Sequence, residues 1–270
     1  MHDARDRPDS DPWRHGEAYE RYVGRWSRLV APGFLDWLGM APGRRWLDVG
    51  CGTGSLCEAI LARCDPAAVV GVDPSDGFLE TARSALGDRV DFRLGDGAHL
   101  PLADHSVDVV VSGLVLNFVP DLAAALAEMA RVTRRGGAVA AYVWDYADRM
   151  ELMQRFWDAA AALDHDAVDL AESLRFRSSG ADGLRAAFTA AGLGSPELST
   201  VEITTVFADF DDYWMPFLGG QGPAPAYAMA LPEDRRDALR ERLRSTLPVQ
   251  PDGSIALAAR AILVRGRVED

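Results

Sequence analysis

The sequence lacks lysine altogether, so its 28 basic residues are all arginines, set against 41 aspartates and glutamates. The formal net charge is −13, and most of the arginines alternate with acidic residues instead of forming a run. Proteins bind nucleic acids mainly through basic patches, which such a surface does not offer. The absence of lysine also excludes a Schiff-base nucleophile and the lysine of a P-loop. We therefore expect no nucleic-acid partner.

Cysteine and long apolar runs are also scarce. Cys51, Cys57 and Cys64 are too few for a disulfide framework, and no histidine or cysteine pair stands beside them at zinc-finger spacing. No stretch approaches the roughly 20 apolar residues of a membrane-spanning helix. Residues 1–12 are charged and lack the apolar core of a signal peptide. These absences predict reduced thiols, no bound metal, no membrane partner and a cytoplasmic location.

The composition is that of an ordinary globular domain, with 48% hydrophobic and 26% charged residues in a chain of 270. Domains usually run to about 100–200 residues, and a single core stops growing near about 250–300. Residues 1–12 carry almost nothing apolar and are predicted to be a mobile tail. Residues 13–270 are predicted to form one domain.

Short apolar runs alternate with amphipathic stretches in the first half of the chain. They predict strands at 46–49, 69–73, 107–111 and 138–143, a weaker strand at 89–94, and helices at 56–63, 77–86 and 122–132. Strands that alternate with helices imply parallel pairing with right-handed crossovers. The predicted fold class is therefore α/β, a doubly wound sheet covered by helices on both faces. In such a sheet the ligand lies beyond the carboxyl ends of the strands.

The two ends of the chain follow other patterns. In 15–38, aromatic and aliphatic residues recur at three- and four-residue intervals, which predicts one or two amphipathic helices broken around Ala31-Pro32-Gly33. We expect this region, 15–40, to act as a lid, and packing of its aromatic residues against the sheet is the alternative. The later part is predicted to hold helices at 149–163, 183–191, 211–218 and 232–247, a loop at 219–225, and strands at 201–207 and 259–268. The insertion at about 147–196, together with the aromatic segment Tyr213-Trp214-Met215-Pro216-Phe217, is long enough to roof a pocket with apolar surface as a helical cap.

Three glycines at alternate positions follow the first predicted strand. Gly50, Gly52 and Gly54 stand between a strand and a helix, where the backbone turns sharply and approaches a ligand closely. A side chain there is expected to collide with the ligand. The G-x-G-x-G spacing differs from the G-x-G-x-x-G of dinucleotide-binding sheets, which favours a ligand other than a pyrophosphate. A plain turn is the alternative for this loop taken alone.

Acidic residues end the next two strands. Asp73 lies about 20 residues after Gly54. In sheets that bind nucleotides, an acidic residue at this interval after the glycine loop contacts the ribose hydroxyls. Its alternative is a solvated turn residue before Pro74. Asp96, within Gly95-Asp96-Gly97, adds a second acceptor on the same rim. Because no cationic side chain is offered to a phosphate, the arrangement favours a neutral or cationic nucleoside.

Five segments carry a family resemblance: 47–54, 71–75, 95–101, 107–112 and 131–137. In order and spacing they resemble the successive motifs of the class I S-adenosylmethionine-dependent methyltransferases. The resemblance implies a seven-stranded sheet with a final antiparallel strand. It also implies S-adenosylmethionine as the cofactor, with S-adenosylhomocysteine as its product. Arg135 departs from the family pattern, which commonly has proline before the two glycines, in a turn far from the ligand.

The resemblance implies roles for particular residues. It assigns the glycines of the loop to the methionine moiety, Asp73 to the ribose diol, and Phe78 and Asp96 to the adenine. The segment at 22–28 resembles a helix that lids the cofactor in the small-molecule branch of the family. We expect Arg25 to pair with the cofactor carboxylate or with an acidic acceptor. The residues implied as cofactor-binding are Tyr22, Arg25, Gly50, Gly52, Gly54, Asp73, Pro74, Phe78, Asp96, Gly97 and Leu114.

The acceptor side is less defined. Methyl transfer from a sulfonium is an in-line displacement, so alignment of the reactants and exclusion of water can supply much of the catalysis. A base is needed only where the acceptor must lose a proton, and no catalytic residue is assigned. Asn117-Phe118-Val119-Pro120 does not match the motif of enzymes that methylate base amines. We expect a small, partly apolar acceptor. The candidate contacts, each with simple packing as the alternative, are Trp26, Asn117, Phe118, Trp144, Tyr146 and Trp214.

Two other functions are compatible with parts of the pattern. A NAD-dependent oxidoreductase predicts a G-x-x-G spacing, which Thr53-Gly54 does not provide. A methyltransferase-fold protein without transfer activity would bind the cofactor tightly and methylate nothing. The sequence does not specify the oligomeric state.

Overall fold

A seven-stranded sheet forms the centre of the protein in the computed structural model, which describes residues 24–171, 180–219 and 222–269. The strands are β1 (Arg45–Val49), β2 (Ala68–Asp73), β3 (Asp91–Leu94), β4 (Val107–Gly113), β5 (Thr133–Trp144), β6 (Glu197–Phe207) and β7 (Ile255–Arg267). Their order across the sheet is β3-β2-β1-β4-β5-β7-β6. Strand β7 is antiparallel to β5 and β6, and the other neighbours pair in parallel. The mostly parallel, doubly wound α/β sheet is thereby confirmed.

Helices connect the strands and cover the sheet. Those of the described ranges are α1 (Arg25–Leu38), α2 (Ser55–Arg63), α3 (Asp76–Leu86), α4 (Leu122–Val132), α5 (Glu151–Leu163), α6 (Ala181–Ala190), α7 (Phe210–Trp214), α8 (Pro223–Ala230) and α9 (Glu233–Thr246). The helices predicted between the first five strands begin within one residue of the observed ones. The agreement is close here because apolar periodicity and short connections both mark these boundaries.

Each face of the sheet has its own apolar cluster. Val109 and Val111 of β4 point into a cluster shared with α1, α2 and α3. Val110, between them, points to the opposite face, where it meets apolar residues of α4 and α6. Side chains alternate along a strand, and β4 is apolar on both faces because both are covered.

Helix α1 corrects the sequence-based expectation of a break around Ala31-Pro32-Gly33. The helix runs through Pro32 and ends only at Leu38, where Gly39 adopts a left-handed conformation with φ 60°. A proline inside a helix costs about 3 kcal/mol. Burial of a large apolar side chain stabilises by about 1.5–3 kcal/mol, and α1 buries several, including Val30 and Phe34. The apolar face of the helix therefore outweighs its proline.

The helical cap is assembled differently from the expected insertion at 147–196. Helix α5 belongs to the cap, but α6 packs on the sheet, where Leu184 and Phe188 join the cluster beneath α4. The rest of the cap comes from the connection between β6 and β7. There the Tyr213 hydroxyl donates to the Leu152 carbonyl at 3.0 Å, and Phe156 stacks on Phe217 with 4.5 Å between ring centroids.

Two boundaries in the cap also differ from the sequence-based prediction. The helix predicted at 211–218 ends at Trp214 and continues as a 3-10 turn over Met215–Gly219. The loop predicted at 219–225 is too long, because α8 begins at Pro223. Proline suits the first turn of a helix, where its missing N–H has no partner to lose.

Candidate active site

A cavity of about 570 Å³ opens at the carboxyl ends of β1, β2 and β4. Cofactor and small-molecule sites commonly have volumes of about 300–1,000 Å³. The lining residues of the described chain fall within 48–56, 73–78, 95–99 and 113–121, joined by Ser27 of α1 and Tyr142 of β5. This is the edge at which a doubly wound sheet holds its ligand.

The glycine loop between β1 and α2 is tied to the end of β2. The N–H groups of Gly50 and Cys51 both donate to the Val72 carbonyl, at 2.8 and 3.1 Å. All three glycines have positive φ angles, 73° at Gly50, 53° at Gly52 and 89° at Gly54. Side chains rarely adopt such a backbone, so the path of this loop requires glycine.

The three glycines make room for different neighbours. A Cβ on Gly52, which lines the cavity, would meet no atom within 4 Å. On Gly50 it would lie 2.6 Å from Val115 Cγ1, and on Gly54 it would lie 3.0 Å from Leu86 Cδ1. The expectation that all three leave space for a ligand therefore fits only Gly52. The other two allow protein to approach protein closely, and Gly54 is not among the lining residues.

Asp73 supports the loop as well as facing the cavity. The Gly52 N–H donates to its Oδ2 at 2.9 Å, and the Ser75 N–H donates to its Oδ1 at 2.9 Å. The residue is buried, with 6% of its surface exposed. Its side chain also lines the cavity, and each carboxylate oxygen can accept more than one hydrogen bond.

Asp48 is a cavity residue that the sequence reasoning missed. Its Oδ2 accepts a hydrogen bond from the Cys57 thiol at 3.3 Å, while the buried Oδ1 has no hydrogen-bond partner in the described part of the chain. Burial raises the pKa of Asp48 to about 7, with a further contribution from the charge of Asp73, against the lowering effect of the Cys57 hydrogen bond. An acidic residue inside the apolar run 46–49 was the available signal, since buried carboxylates are rare without a purpose.

Four predicted residues line the next part of the cavity: Pro74, Phe78, Asp96 and Gly97. The Ser75 hydroxyl caps α3 by accepting from the Phe78 N–H at 3.4 Å, which fixes the start of the helix that carries Phe78. Asp96 accepts from the Ala98 N–H at 2.8 Å. These loops bring an aromatic ring and a carboxylate to one rim.

The end of β4 gives the cavity its third wall. Leu114 has a φ of 61°, and its N–H donates to the Tyr142 carbonyl at 2.8 Å. Leu114 and Phe118, which the sequence predicts as contacts of the cofactor and of the acceptor, both line the cavity. Asn117 is not among the lining residues, and both polar atoms of its amide are buried without a hydrogen-bond partner within the described ranges.

Arg25 and Trp26, which the sequence places at the cofactor and the acceptor, are not among the described residues that line the cavity. The Arg25 guanidinium donates to Asp212 Oδ1 at 2.8 Å and lies 5.0 Å from the Phe207 ring centroid. Trp26 meets the same Phe207 ring edge-on at 5.2 Å. Both residues therefore join the start of α1 to the end of β6 and to α7. Their partners lie far along the chain, and the periodicity of a helix does not indicate which distant residues its side chains will contact.

Trp144, Tyr146 and Trp214 are also buried in the core instead of lining the described cavity. Trp214 packs with Phe217 at 6.1 Å between centroids. Large aromatic side chains gain most from full burial, and the cap provides it for these residues. None of the described cap residues lines the cavity. Tyr22 lies outside the described residues.

The polar cavity residues that the sequence reasoning did not name as ligand contacts include Ser27, Ser55, Asp121 and Tyr142. Asp121 also caps α4, where it accepts from the Ala124 N–H at 2.9 Å. Serine and aspartate at helix starts are ordinary capping residues, so the sequence carried no separate signal for them. Tyr142 was hidden within an apolar strand.

The strand order, the single antiparallel strand and the position of the cavity define a Rossmann-like methyltransferase fold. Residues 47–141 match the family model described as "Methyltransferase domain". The demethylmenaquinone methyltransferase of Renibacterium salmoninarum is 43% identical over 114 residues, which cover 42% of this chain and 45% of the relative. The chain thus spans less than half the length of that relative.

Solved structures share the fold at low sequence identity. The YcgJ protein of Bacillus subtilis is 20% identical with a TM-score of 0.59, over 90% of this chain and 99% of that one. A phosphoethanolamine N-methyltransferase of Haemonchus contortus, solved with S-adenosyl-L-methionine, is 16% identical with a TM-score of 0.56, over 94% of this chain and 57% of that one. The family match over residues 47–141 and the shared fold together indicate a class I S-adenosylmethionine-dependent methyltransferase.

Two further properties of the described helices and side chains bear on partners. None of the helices is both long and apolar enough to cross a membrane. Within the described ranges, no three or more histidine, cysteine, aspartate or glutamate side chains are grouped so that they could hold a metal ion.

Proposed function

We propose that this chain binds S-adenosylmethionine in the cavity at the carboxyl edge of the sheet and transfers its methyl group to a small, partly apolar molecule. The observation that carries the proposal is the open space over Gly52, flanked by the carboxylates of Asp48 and Asp73. A cofactor with a sulfonium, an ammonium group and a ribose diol matches this set of acceptors.

Each end of the cofactor has residues suited to it. Asp73 accepts from the ribose hydroxyls while it holds the loop at Gly52. Phe78 and Asp96 provide a ring face and a hydrogen-bond acceptor for the adenine. Near the glycine loop, the unpaired Oδ1 of Asp48 offers negative charge to the cationic end. The bound cofactor supplies a methyl group attached to a positively charged sulfur. When the methyl group is transferred, the remainder of the cofactor is released as a neutral thioether.

The acceptor is expected beside Leu114, Phe118 and Tyr142. Leu114 and Phe118 are apolar, and 37% of the Phe118 surface is exposed, so this wall is accessible to a ligand. Alignment of an acceptor against the sulfur and exclusion of water are the catalytic contributions that such a wall makes. The names of the Renibacterium and Haemonchus enzymes also refer to non-polymeric acceptors, demethylmenaquinone and phosphoethanolamine.

Calorimetry tests the cofactor assignment. We expect micromolar binding of S-adenosylhomocysteine and no binding of NAD. Incubation with S-adenosylmethionine and a panel of small apolar acceptors, followed by mass spectrometry, should then detect methylated products. Tighter binding of NAD than of S-adenosylhomocysteine would contradict the cofactor assignment. Tight S-adenosylhomocysteine binding with no product from any acceptor class would support a cofactor-binding protein without transfer activity.

A further inference from the structure

The described lining of the cavity contains negative charge but no arginine. Four aspartates line it, namely Asp48, Asp73, Asp96 and Asp121. His99 also lines it, but its side chain is 86% exposed and lies beside Asp96, at 3.4 Å. S-adenosylmethionine carries a carboxylate on its amino-acid end. That group needs a cationic partner, because a carboxylate among carboxylates is repelled.

Arg28 brings a cation to the rim beside the glycine loop. Its Nε donates to the Ser55 hydroxyl at 3.4 Å. Ser55 and Ser27, the neighbour of Arg28 in α1, both line the cavity. The Arg28 side chain is exposed, and within the described ranges its guanidinium makes no other hydrogen bond or ion pair. Its two terminal nitrogens are therefore available to a ligand.

Arg25, one turn earlier in α1, is committed elsewhere. Its guanidinium pairs with Asp212 at 2.8 Å and lies over the Trp26 ring at 4.3 Å. To reach the cavity it would have to break an ion pair and leave two aromatic faces. Arg28 has no such competing partners, although the two residues lie only three positions apart.

We propose that Arg28 binds the α-carboxylate of the cofactor, with the Ser55 hydroxyl as a second donor to the same group. The assignment rests on the proposed function, since it concerns one end of the same cofactor. A guanidinium matches a carboxylate with two parallel hydrogen bonds, which a lysine ammonium does not provide. Ser55 is the first residue of α2, so its position is fixed directly after the glycine loop.

The test compares two ligands that differ in the carboxylate. S-adenosylhomocysteine carries it, whereas S-adenosyl-3-thiopropylamine keeps the adenosine, the sulfur and the amine but lacks the carboxylate. In calorimetry, Arg28→Gln should weaken the binding of S-adenosylhomocysteine about tenfold, which is the lower end of the range for the loss of a hydrogen bond to a charged group. Binding of the decarboxylated ligand should change by less than about twofold. The affinity of Arg28→Lys for S-adenosylhomocysteine should lie between those of the wild type and of Arg28→Gln.

Arg25→Gln is the matched control. It removes the ion pair with Asp212, so it should lower the melting temperature and leave the affinity ratio of the two ligands as in the wild type. A selective loss of S-adenosylhomocysteine affinity in Arg25→Gln, or an equal effect of Arg28→Gln on both ligands, would overturn the assignment of Arg28. A wild-type chain that binds neither ligand would instead contradict the proposed function, and this assignment with it.

Discussion

Gly52 and Asp73 are joined by a hydrogen bond of 2.9 Å in which the glycine N–H donates to the carboxylate. The end of β2 thereby fixes the loop that follows β1. Asp73 also faces the cavity, where we expect it to accept from the ribose hydroxyls. One side chain thus positions the loop and is expected to contact the ligand. Its replacement should therefore change both the stability of the loop and the affinity for the ligand.

Asp73→Asn should weaken S-adenosylhomocysteine binding by about 1.5–3 kcal/mol, because a charged acceptor is lost. The melting temperature should also fall, since the amide accepts less strongly from the loop. Asp76→Asn is the control, because Asp76 is exposed and outside the cavity lining. Calorimetry and thermal unfolding measure the two effects. An Asp73→Asn affinity within about twofold of the wild type, a difference of under 0.5 kcal/mol, would refute the role.

The glycines of the loop should separate binding from stability. Gly52→Ala places a methyl group in open cavity space, so it should reduce S-adenosylhomocysteine affinity strongly and cost about 1–2 kcal/mol of stability from the left-handed backbone alone. Gly50→Ala adds a Cβ 2.6 Å from Val115 Cγ1, so it should destabilise by roughly 1–3 kcal/mol in addition. Thermal unfolding with and without ligand distinguishes the two. Normal ligand binding by Gly52→Ala would show that the loop is only a turn.

Asp48 should make the stability of the ligand-free protein depend on pH. Its folded-state pKa is raised from 3.8 to about 7, so between these values the folded chain binds more protons than the unfolded chain. The free energy of unfolding should therefore decrease as pH rises through this window, by an amount of the order of 2–4 kcal/mol. Asp48→Asn removes the titrating carboxyl group. The free energy of unfolding of this variant, relative to that of the wild type, should therefore increase from pH 5 to pH 8.

Asp108→Asn is the control for that experiment, with the opposite sign. Although burial acts to raise the pKa of Asp108, the hydrogen bond from the Arg45 N–H and the charge of Arg134 lower it overall. Its stabilising contribution is therefore present above the ordinary carboxyl pKa and is lost as pH falls. Melting temperatures across the same pH series measure both variants. A wild-type profile parallel to that of Asp48→Asn would show that Asp48 does not titrate in this window.

The sequence was most informative where the signal is local. The strands before Gly50 and Asp73 are short apolar runs that end in a glycine or an acid, so their boundaries and the edge they reach could be predicted. The helix at 122–132 was predicted with its observed ends. Local hydrophobic periodicity and the requirement for parallel pairing determine these features without knowledge of distant contacts.

The sequence was least informative about which face an aromatic residue presents. Trp26 and Trp144 were expected at a ligand, but distant partners bury both, as with Phe207 against Trp26. Likewise the pairing of Arg25 with Asp212 joins residues separated by 187 positions. Periodicity identifies an apolar face without naming what covers it. Asp48 was missed because an acid within a strand is usually interpreted as a pattern defect.

The cavity and the cap draw on separate parts of the chain. Every described lining residue lies between Ser27 and Tyr142, and none comes from α5 or from the connection between β6 and β7. A ligand bound in this cavity therefore constrains the residues before β6 directly. The cap helices can be changed as long as they pack with one another and against the sheet. A chain whose cap is rebuilt in this way should keep the same cavity lining.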